Sequence, residues 1–426
     1  MKKLVFALFM AALVVPAFSQ KLIDLYKGGT VKLVPDPAYA QDNKWDIVFK
    51  TYYDTIYDTP MGDRKSLKVM PDGSVVVNHA YHNYYTKFSP DGRFEKEFGI
   101  KNSKGQTFKN INAIEGIVNN NTFFTQLDNM GNMVCFDFNG NYKKTLKLDY
   151  MAKQMVPLPN KKIAVVGWVI WSTKFRDFIS IVDYETNKEK VIWEHFTPYE
   201  IASQKTGTRK PFNYAYEFKK GGMIGSTTIP YGPPPAPNNP PSIASNGNEL
   251  IVTIPTTGEI LVYDLEGKLI SKEKIGWARS YLSVQEQKEI QQKAIDRFKN
   301  KQENILEIRG EEYEAAMEYI GKEMTADLEK ITEPMPLPFA STVIKDSDGN
   351  LLFFEFAKAE NANKFNVWVY ENGGKFVCQS SFVSDDYNLV INPSKMVFHN
   401  GYIYSLQLLK NAKGVPLRLV RFKLGN

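Results

Sequence analysis

Aromatic side chains stand beside basic or imidazole groups at two places in the chain, and a further tyrosine lies in a proline-rich segment. Rings next to Lys or Arg suit stacking on sugar rings or binding of a peptide. We expect these residues to form a ligand-binding surface, and the alternative is that they pack loop against loop. The candidate ligand-binding residues are Tyr81, His82, Tyr84, Trp171, Lys174, Arg176 and Tyr231.

Motifs for catalysis or metal binding are absent from the sequence. His79 and His82 lie three residues apart, but no acidic residue stands at a recognisable metal-ligand spacing from them. The chain contains no GxSxG elbow, no GxxxxGK[ST] loop and no HExxH pair. The sequence therefore predicts no catalytic residues, no metal and no cofactor.

The elements that must position the candidate residues are short strands joined by tight turns. Residues 67–98 read as four strands, with the turns Asp72-Gly73 and Asp91-Gly92 between the first and last pairs. Asp-Gly favours a tight hairpin because glycine tolerates positive φ. Asp at such turns has a structural explanation, since its side chain bonds to the following backbone.

Related units recur along the chain at a period that is typical of propellers. They occupy residues 111–148, 155–196, 242–275, 340–382 and 393–424. The sequence therefore predicts an all-β, six-bladed β-propeller with four-stranded antiparallel blades. Residues 197–241 contain a hairpin pattern and the Pro-rich loop 230–241, and we interpret them as a connection; the alternative is a degenerate seventh blade.

Two segments fall outside the repeat. The sixth unit lacks its fourth strand, and we predict that residues 45–57 supply it, so that one blade holds both ends of the mature chain. Residues 283–333 show a helical spacing of apolar side chains and a capping box of Ser283 and Glu286. They predict a helical insertion before the fifth blade, which packs on the ring or serves as a lid or docking surface.

The predicted connections differ in length between the two ends of each blade. The turns between strands one and two, and between three and four, span two to four residues. The remaining connections are longer and include residues 79–83, 99–110, 170–177 and 197–241. Because antiparallel strands alternate in direction, the long connections share one face, and binding residues concentrate on such loops.

Export is predicted from the first 19 residues. Lys2 and Lys3 precede an apolar run that is too short to span a bilayer, and a small-residue cleavage pattern follows it. We expect a signal peptide at 1–19, one propeller domain at 20–426, and no transmembrane segment in the mature chain. The only cysteines, Cys135 and Cys378, lie in different units and predict two free thiols. A net charge of +6 with scattered basic residues gives no indication of nucleic acid binding.

The stretch SLKVMPDGSVVVNHAYHNYYTKFSPDGRFEKEFG resembles a blade of the NHL and TolB-like six-bladed propellers. With the signal peptide and the helical insertion, the chain is similar to secreted six-bladed propellers of Gram-negative bacteria. The resemblance implies the fold, and it implies that some relatives are lactonases or lyases with metal-bound channels, whose ligand set has no counterpart here.

Three hypotheses of function follow from these observations. The first is an exported, non-catalytic propeller that binds a protein, peptide or glycan partner on its long-loop face. The second is a channel-centred, lactonase- or lyase-like enzyme that acts on a sugar-like substrate. The third is a subunit of an envelope assembly that docks through residues 283–333.

Overall fold

The fold is that of a computed structural model of the 426-residue chain. The structure describes residues 22–50, 65–79, 84–107, 116–119, 122–126, 132–171, 174–198, 213–220, 223–230, 240–300, 311–356, 364–371, 374–391 and 395–425. The predicted signal peptide, Tyr81, His82 and Tyr231 lie outside these residues.

The chain is mostly β, and its sheets have a propeller-like arrangement. Before the first sheet come α1 (Leu22–Lys27), β1 (Val31–Pro35) and α2 (Trp45–Val48). The first sheet contains β2 (Lys65–Val69), β3 (Val75–His79), β4 (Tyr85–Phe88) and β5 (Phe94–Phe98). The second contains β6 (Gly116–Asn119), β7 (Thr122–Gln126), β8 (Asn132–Asp137) and β9 (Tyr142–Lys147).

The third sheet has longer strands, and a hairpin follows it. The sheet contains β10 (Met151–Leu158), β11 (Lys162–Trp171), β12 (Lys174–Asp183) and β13 (Lys188–Pro198). The hairpin consists of β14 (Asn213–Lys220) and β15 (Met223–Pro230). The fourth sheet contains β16 (Ser242–Ser245), β17 (Glu249–Ile254), β18 (Glu259–Asp264) and β19 (Leu269–Lys274).

Two helices lie within the segment that was predicted to be helical, between a pair of short strands. The elements are β20 (Tyr281–Leu282), α3 (Val284–Lys299), α4 (Glu311–Glu329) and β21 (Met335–Pro336). As predicted, α3 begins at a capping box: Ser283 Oγ accepts from Glu286 N at 3.1 Å, and Glu286 Oε2 accepts from Ser283 N at 2.8 Å.

The remaining strands belong to one nine-stranded sheet. They are β22 (Thr342–Lys345), β23 (Leu351–Phe354), β24 (Lys364–Tyr370), β25 (Phe376–Val383), β26 (Tyr387–Asn388), β27 (Met396–His399), β28 (Tyr402–Leu409) and β29 (Leu417–Gly425). The ninth member is β1, which pairs antiparallel with β29 and, over two residues, parallel with β25.

The predicted closing strand was wrong in its position, although the two ends of the chain do meet in one sheet. Residues 31–35 pair with β29, whereas residues 45–48 form a helical turn. Trp45 stacks on Phe49 at 5.1 Å between ring centroids, and Phe49 is fully buried beside Phe88 of the first sheet. Trp45 and Phe49 therefore serve packing, and the shorter strand β1 closes the sheet. Residues 51–57 of the predicted strand lie outside the described residues.

The hydrophobic core lies between neighbouring sheets. Separate clusters of buried side chains join the first sheet to the second, the second to the third, the third to the fourth and the fourth to β22–β24. Another surrounds β1, and a further cluster joins β28 and β29 back to the first sheet through Leu67, Val75 and Leu406. Face-to-face burial of this kind brings successive sheets around a common axis.

The predicted tight turns have the expected chemistry. Gly140 has φ of +79°, and a Cβ there would lie 2.2 Å from Gly99 O, so only glycine fits this turn. Asp137 Oδ1 accepts from the backbone N of Asn139 at 2.9 Å and of Asn141 at 3.0 Å. These bonds hold the pKa of Asp137 below its ordinary value against the opposing effect of burial. The carboxylate is thus structural, as the sequence predicted.

Candidate functional site

The two ends of the sheets differ in what they carry. At one end the chain makes short turns, such as those at Gly73, Gly92 and Gly267. At the other end it makes the connections that contain the β14–β15 hairpin and helices α3 and α4. We call this second end the long-loop face. In it, α4 contacts β14, so the two largest additions to the repeat touch each other.

The third sheet extends beyond its neighbours on the long-loop face. Strands β11, β12 and β13 contain 10, 10 and 11 residues, whereas the corresponding strands of the neighbouring fourth sheet contain six each. The last described hydrophobic residue of β11 that is fully buried is Val166. We call residues 168–171, 174–177 and 194–198 the projecting end of this sheet. Its base still packs on the core, since Val169 contacts the cluster between the second and third sheets. Four residues along a strand add about 13 Å at the usual strand rise of about 3.3 Å per residue.

The prediction of a loop at 170–177 was accordingly wrong. Trp171 pairs with Lys174, and Arg176 pairs with Val169 within the ladder. Three of the predicted binding residues thus lie together on one projecting hairpin. Residues 170–177 contain no Gly, Pro or Asn, which are the residues that usually mark a long loop. Continuous β pairing was therefore the better interpretation.

One face of the projecting end carries a row of polar and aromatic side chains. Trp168, Asp177 and His195 are directly opposite one another on three adjacent strands, and residues in such register share a face. Lys153 Nζ lies 3.0 Å from Asp177 Oδ1 and 5.0 Å from the centroid of the Trp168 ring. Trp193, on the same strand as His195, stacks on its ring at 6.3 Å. Sequence reasoning missed this row because it placed residues 170–177 in a loop.

The other face of the projecting end is occupied by an internal ion pair. Arg176 Nε and Nη2 donate to Glu194 Oε2 at 3.0 and 2.8 Å. The guanidinium carbon lies 4.4 Å from the ring centroid of Phe178 and 5.9 Å from that of Phe196. Arg176 therefore stiffens the projecting end, which is a structural contribution beside any role in ligand binding.

Below this pair lies a buried tyrosine. Tyr150 donates to Glu189 Oε1 at 2.7 Å, and its ring packs on Phe178 at 4.7 Å. Burial and the nearby Glu189 carboxylate raise its pKa well above the ordinary value, so the hydroxyl remains protonated. Tyr150 thus supports the projecting end from beneath.

Tyr84 lies apart from these residues. It is half-buried and packs against the cluster that joins the first sheet to β28 and β29. Within the described part of the chain, the predicted residues do not converge on one pocket: Trp171, Lys174 and Arg176 are together, and Tyr84 belongs to another sheet.

The helical pair forms a second feature of the long-loop face. A groove with a volume of about 910 Å³ runs along α4 and the end of α3, and its lining includes Phe298, Met317 and Gly321. Charges of both signs rim the groove, among them a Glu318–Lys322 pair at 2.6 Å. The groove is therefore apolar at its floor and mixed in charge at its edge.

The described residues were also compared with the requirements of a metal site and of a membrane-spanning helix. No three His, Cys, Asp or Glu side chains there are grouped so that they could hold a metal ion. No helix there combines the length and apolar character required to cross a membrane. Both thiols are free, and burial raises the pKa of the Cys135 thiol to about 11.

Comparison with known protein families gives no matching family model, and comparison with curated proteins gives no match either. Among solved structures, the chain is similar to a member of the DUF4221 family from Bacteroides vulgatus, at 12% identity over 93% of this chain and 99% of that one, with a TM-score of 0.47. It is similar to virginiamycin B lyase from Staphylococcus aureus, at 12% identity over 84% and 94%, with a TM-score of 0.38.

A β-propeller domain from Myceliophteria thermophila is similar at 9% identity over 84% of this chain and 96% of that one, with a TM-score of 0.35.

Proposed function

We propose that the protein is an exported, non-catalytic propeller that binds a protein, peptide or glycan partner on its long-loop face. The observation that carries the proposal is the concentration of additions at that face: the projecting end of the third sheet, the β14–β15 hairpin and the helical pair. A rigid ring with one decorated end is the arrangement in which scaffolds present binding residues. The seven sequence candidates remain proposed ligand contacts.

The proposal includes six blades within a single domain at 20–426. The nine-stranded sheet divides naturally into β22–β25 and a second unit of β27, β28, β29 and β1. Contacts between successive first strands support a ring: β2 contacts β6, β6 contacts β10, β10 contacts β16, and β16 contacts β22, while β27 contacts β2. The β14–β15 hairpin pairs with no other described strand, which supports a connection over a seventh blade. The proposal also places the chain with the secreted NHL/TolB-like propellers, which its first repeat resembles.

Export rests on residues 1–19, whose basic start, short apolar run and small-residue end are typical of a signal peptide. We expect the chain to be found in the periplasm or outside the cell after cleavage before Gln20. Fractionation of cells and N-terminal sequencing of the mature protein test this directly.

The binding proposal is tested with matched aromatic variants on the two faces. The purified mature protein is applied to glycan and peptide arrays, and the best ligand is titrated against Trp168→Ala on the long-loop face and Phe94→Ala at a short turn. We expect the first variant to weaken binding about tenfold, or about 1.4 kcal/mol, and the second to leave it unchanged. The reverse order of effects would overturn the placement of the site.

The enzyme alternative is favoured by one observation, the acid–base groups Asp177 and His195 side by side on the projecting end. In that case the protein is a lactonase- or lyase-like enzyme on a sugar-like substrate. The test is hydrolysis of a gluconolactone or β-elimination from a uronate. Such turnover, if Asp177→Asn abolishes it while the variant remains folded, would replace the binding proposal by this one.

A further inference from the structure

The outer strands of the first four sheets have no further partner among the described strands, and that of the third sheet differs from the others in its length and side chains. β13 is the last strand of its sheet, and no other described strand pairs with its outer side. An edge strand presents a row of backbone N–H and C=O groups that can pair with an added chain. Proteins usually blunt such edges with short strands, charges or bulges.

A register shift shortens the outer strand of the first, second and fourth sheets. In each of them, one extra residue lies near the start of the outer strand, at Glu95, Lys143 and Ile270 respectively. The regular ladder beyond the shift covers only residues 96–98, 144–147 and 271–274. In β13 the extra residue is Ile192, and the regular ladder continues over residues 193–198. The third sheet therefore has the longer regular edge.

The side chains along that edge are also different. Residues 96–97 and 271–274 are dominated by Lys and Glu, which discourage strand addition. In β13 the corresponding residues include Trp193, His195 and Phe196, and Phe196 is 37% exposed. The one acidic residue there, Glu194, already pairs with Arg176. Beyond its bulge at Ile192, the edge thus combines a regular backbone ladder with aromatic surface.

The molecule itself shows that an outer strand can accept an added strand at this end. In the fifth group of strands, β1 lies beside the outer strand β25 and pairs with it at Phe382 and Val383. β1 alternates buried Val31 and Leu33 with more exposed Lys32 and Val34. An alternating apolar segment is therefore the kind of chain that such an edge accommodates.

We infer that the outer edge of β13, over residues 193–197, binds an extended segment of a partner protein as an added strand. The segment alternates apolar and small polar residues, so that one side contacts His195 and the other contacts Phe196. This inference rests on the proposed function and deepens it, because it names the class of partner and the strand that receives it.

The test uses the full mature protein and a short, capped, fluorescein-labelled peptide of alternating valine and threonine. Binding is followed by fluorescence anisotropy, and the site is located by hydrogen exchange. We expect slower exchange in β13 and unchanged exchange in β5, β9 and β19. His195→Lys should weaken binding about tenfold, because a desolvated cation opposes strand addition. Ile270→Lys, the matched change on β19, should have no effect, and His195→Thr should retain binding.

Several outcomes would overturn the inference. These are equal protection of all the outer strands, binding that His195→Lys leaves intact, or concentration-dependent self-association through β13, which would make a second copy the occupant. If the peptide fails to bind while an array ligand still distinguishes Trp168→Ala from Phe94→Ala, the inference falls and the proposed function stands. Melting temperatures of all variants report whether each one is folded.

Discussion

His399 shows how the fold fixes the protonation of a single side chain. Its Nε2 is buried without a hydrogen-bond partner among the described residues, and its ring meets Tyr404 edge-on at 6.0 Å. Burial lowers the pKa of His399, and the carboxylate of Asp72 opposes the shift only in part. The folded protein therefore favours the neutral ring.

This shift predicts acid sensitivity. Because the unfolded chain binds the proton more readily, stability is fully present above a pH of about 6.5 and declines as the pH falls towards the lower folded pKa. In His399→Phe, which cannot titrate, the melting temperature should fall less between pH 7 and pH 5 than in the unchanged protein. Thermal melts between pH 7 and pH 5 check this prediction. An equal fall in melting temperature for the two proteins would contradict it.

Asp36 and Arg421 form the most enclosed ion pair between the two ends of the described chain. Arg421 Nη2 donates to Asp36 Oδ2 at 2.7 Å, and the side chains are only 19% and 8% exposed. The guanidinium also lies 4.6 Å from the ring centroids of Tyr39 and Tyr402. Burial alone would raise the pKa of Asp36, but the hydrogen bonds from Arg421 and from the backbone hold it below its ordinary value.

Replacement of Asp36 by Asn should therefore leave a poorly compensated cation among aromatic rings. We expect the free energy of unfolding to fall by about 2 kcal/mol. The control is Asp385→Asn, which breaks the exposed Lys32–Asp385 pair and should leave the denaturation midpoint unchanged. Urea unfolding measures both variants, and equal effects would argue that enclosure does not matter here.

At the scale of elements, the helical insertion depends on its first residue. Ser283→Ala removes one half of the capping box of α3, and such a loss costs about 1 kcal/mol of helix stability. Hydrogen exchange should accelerate in the first turn of α3, while Lys293→Ala, an exposed change in the middle of the same helix, leaves it unaffected. An unaltered first turn in Ser283→Ala would show that tertiary contacts, rather than the cap, hold the start of the helix.

Elements that carry local signals could be predicted, and those that depend on distant partners could not. The Asp-Gly and Asn-Gly turns marked the first, second and fourth sheets because they record a local backbone requirement, and Asn160 and Asn187 meet the same requirement in the third. The closing strand was misplaced because residues 45–57 have the stronger β propensity, whereas residues 31–35 gain their partners only from β25 and β29. The projecting end was missed for a different reason: residues 170–177 were assigned to a loop although they contain no Gly, Pro or Asn.

At the scale of the whole molecule, β1 holds together strands that would otherwise form two sheets. Leu33 is 2% exposed and packs in the cluster that surrounds β1, whereas its neighbour Val34 is 46% exposed. Leu33→Ala should therefore lower the free energy of unfolding by about 3 kcal/mol, and Val34→Ala should have little effect. Limited proteolysis and urea unfolding measure both variants. If Leu33→Ala and Val34→Ala were equally stable, β1 would add little to the closure of the sheet.

The union of β1 with β29 also has a consequence for biogenesis. Asp36 and Arg421, which lock the two strands, are 385 residues apart. During synthesis β1 cannot pair with β29 until nearly every later sheet has been made, so its apolar side chains stay exposed to water until then. We therefore expect slow maturation, and we expect a circular permutant with β1 placed after β29 to fold faster.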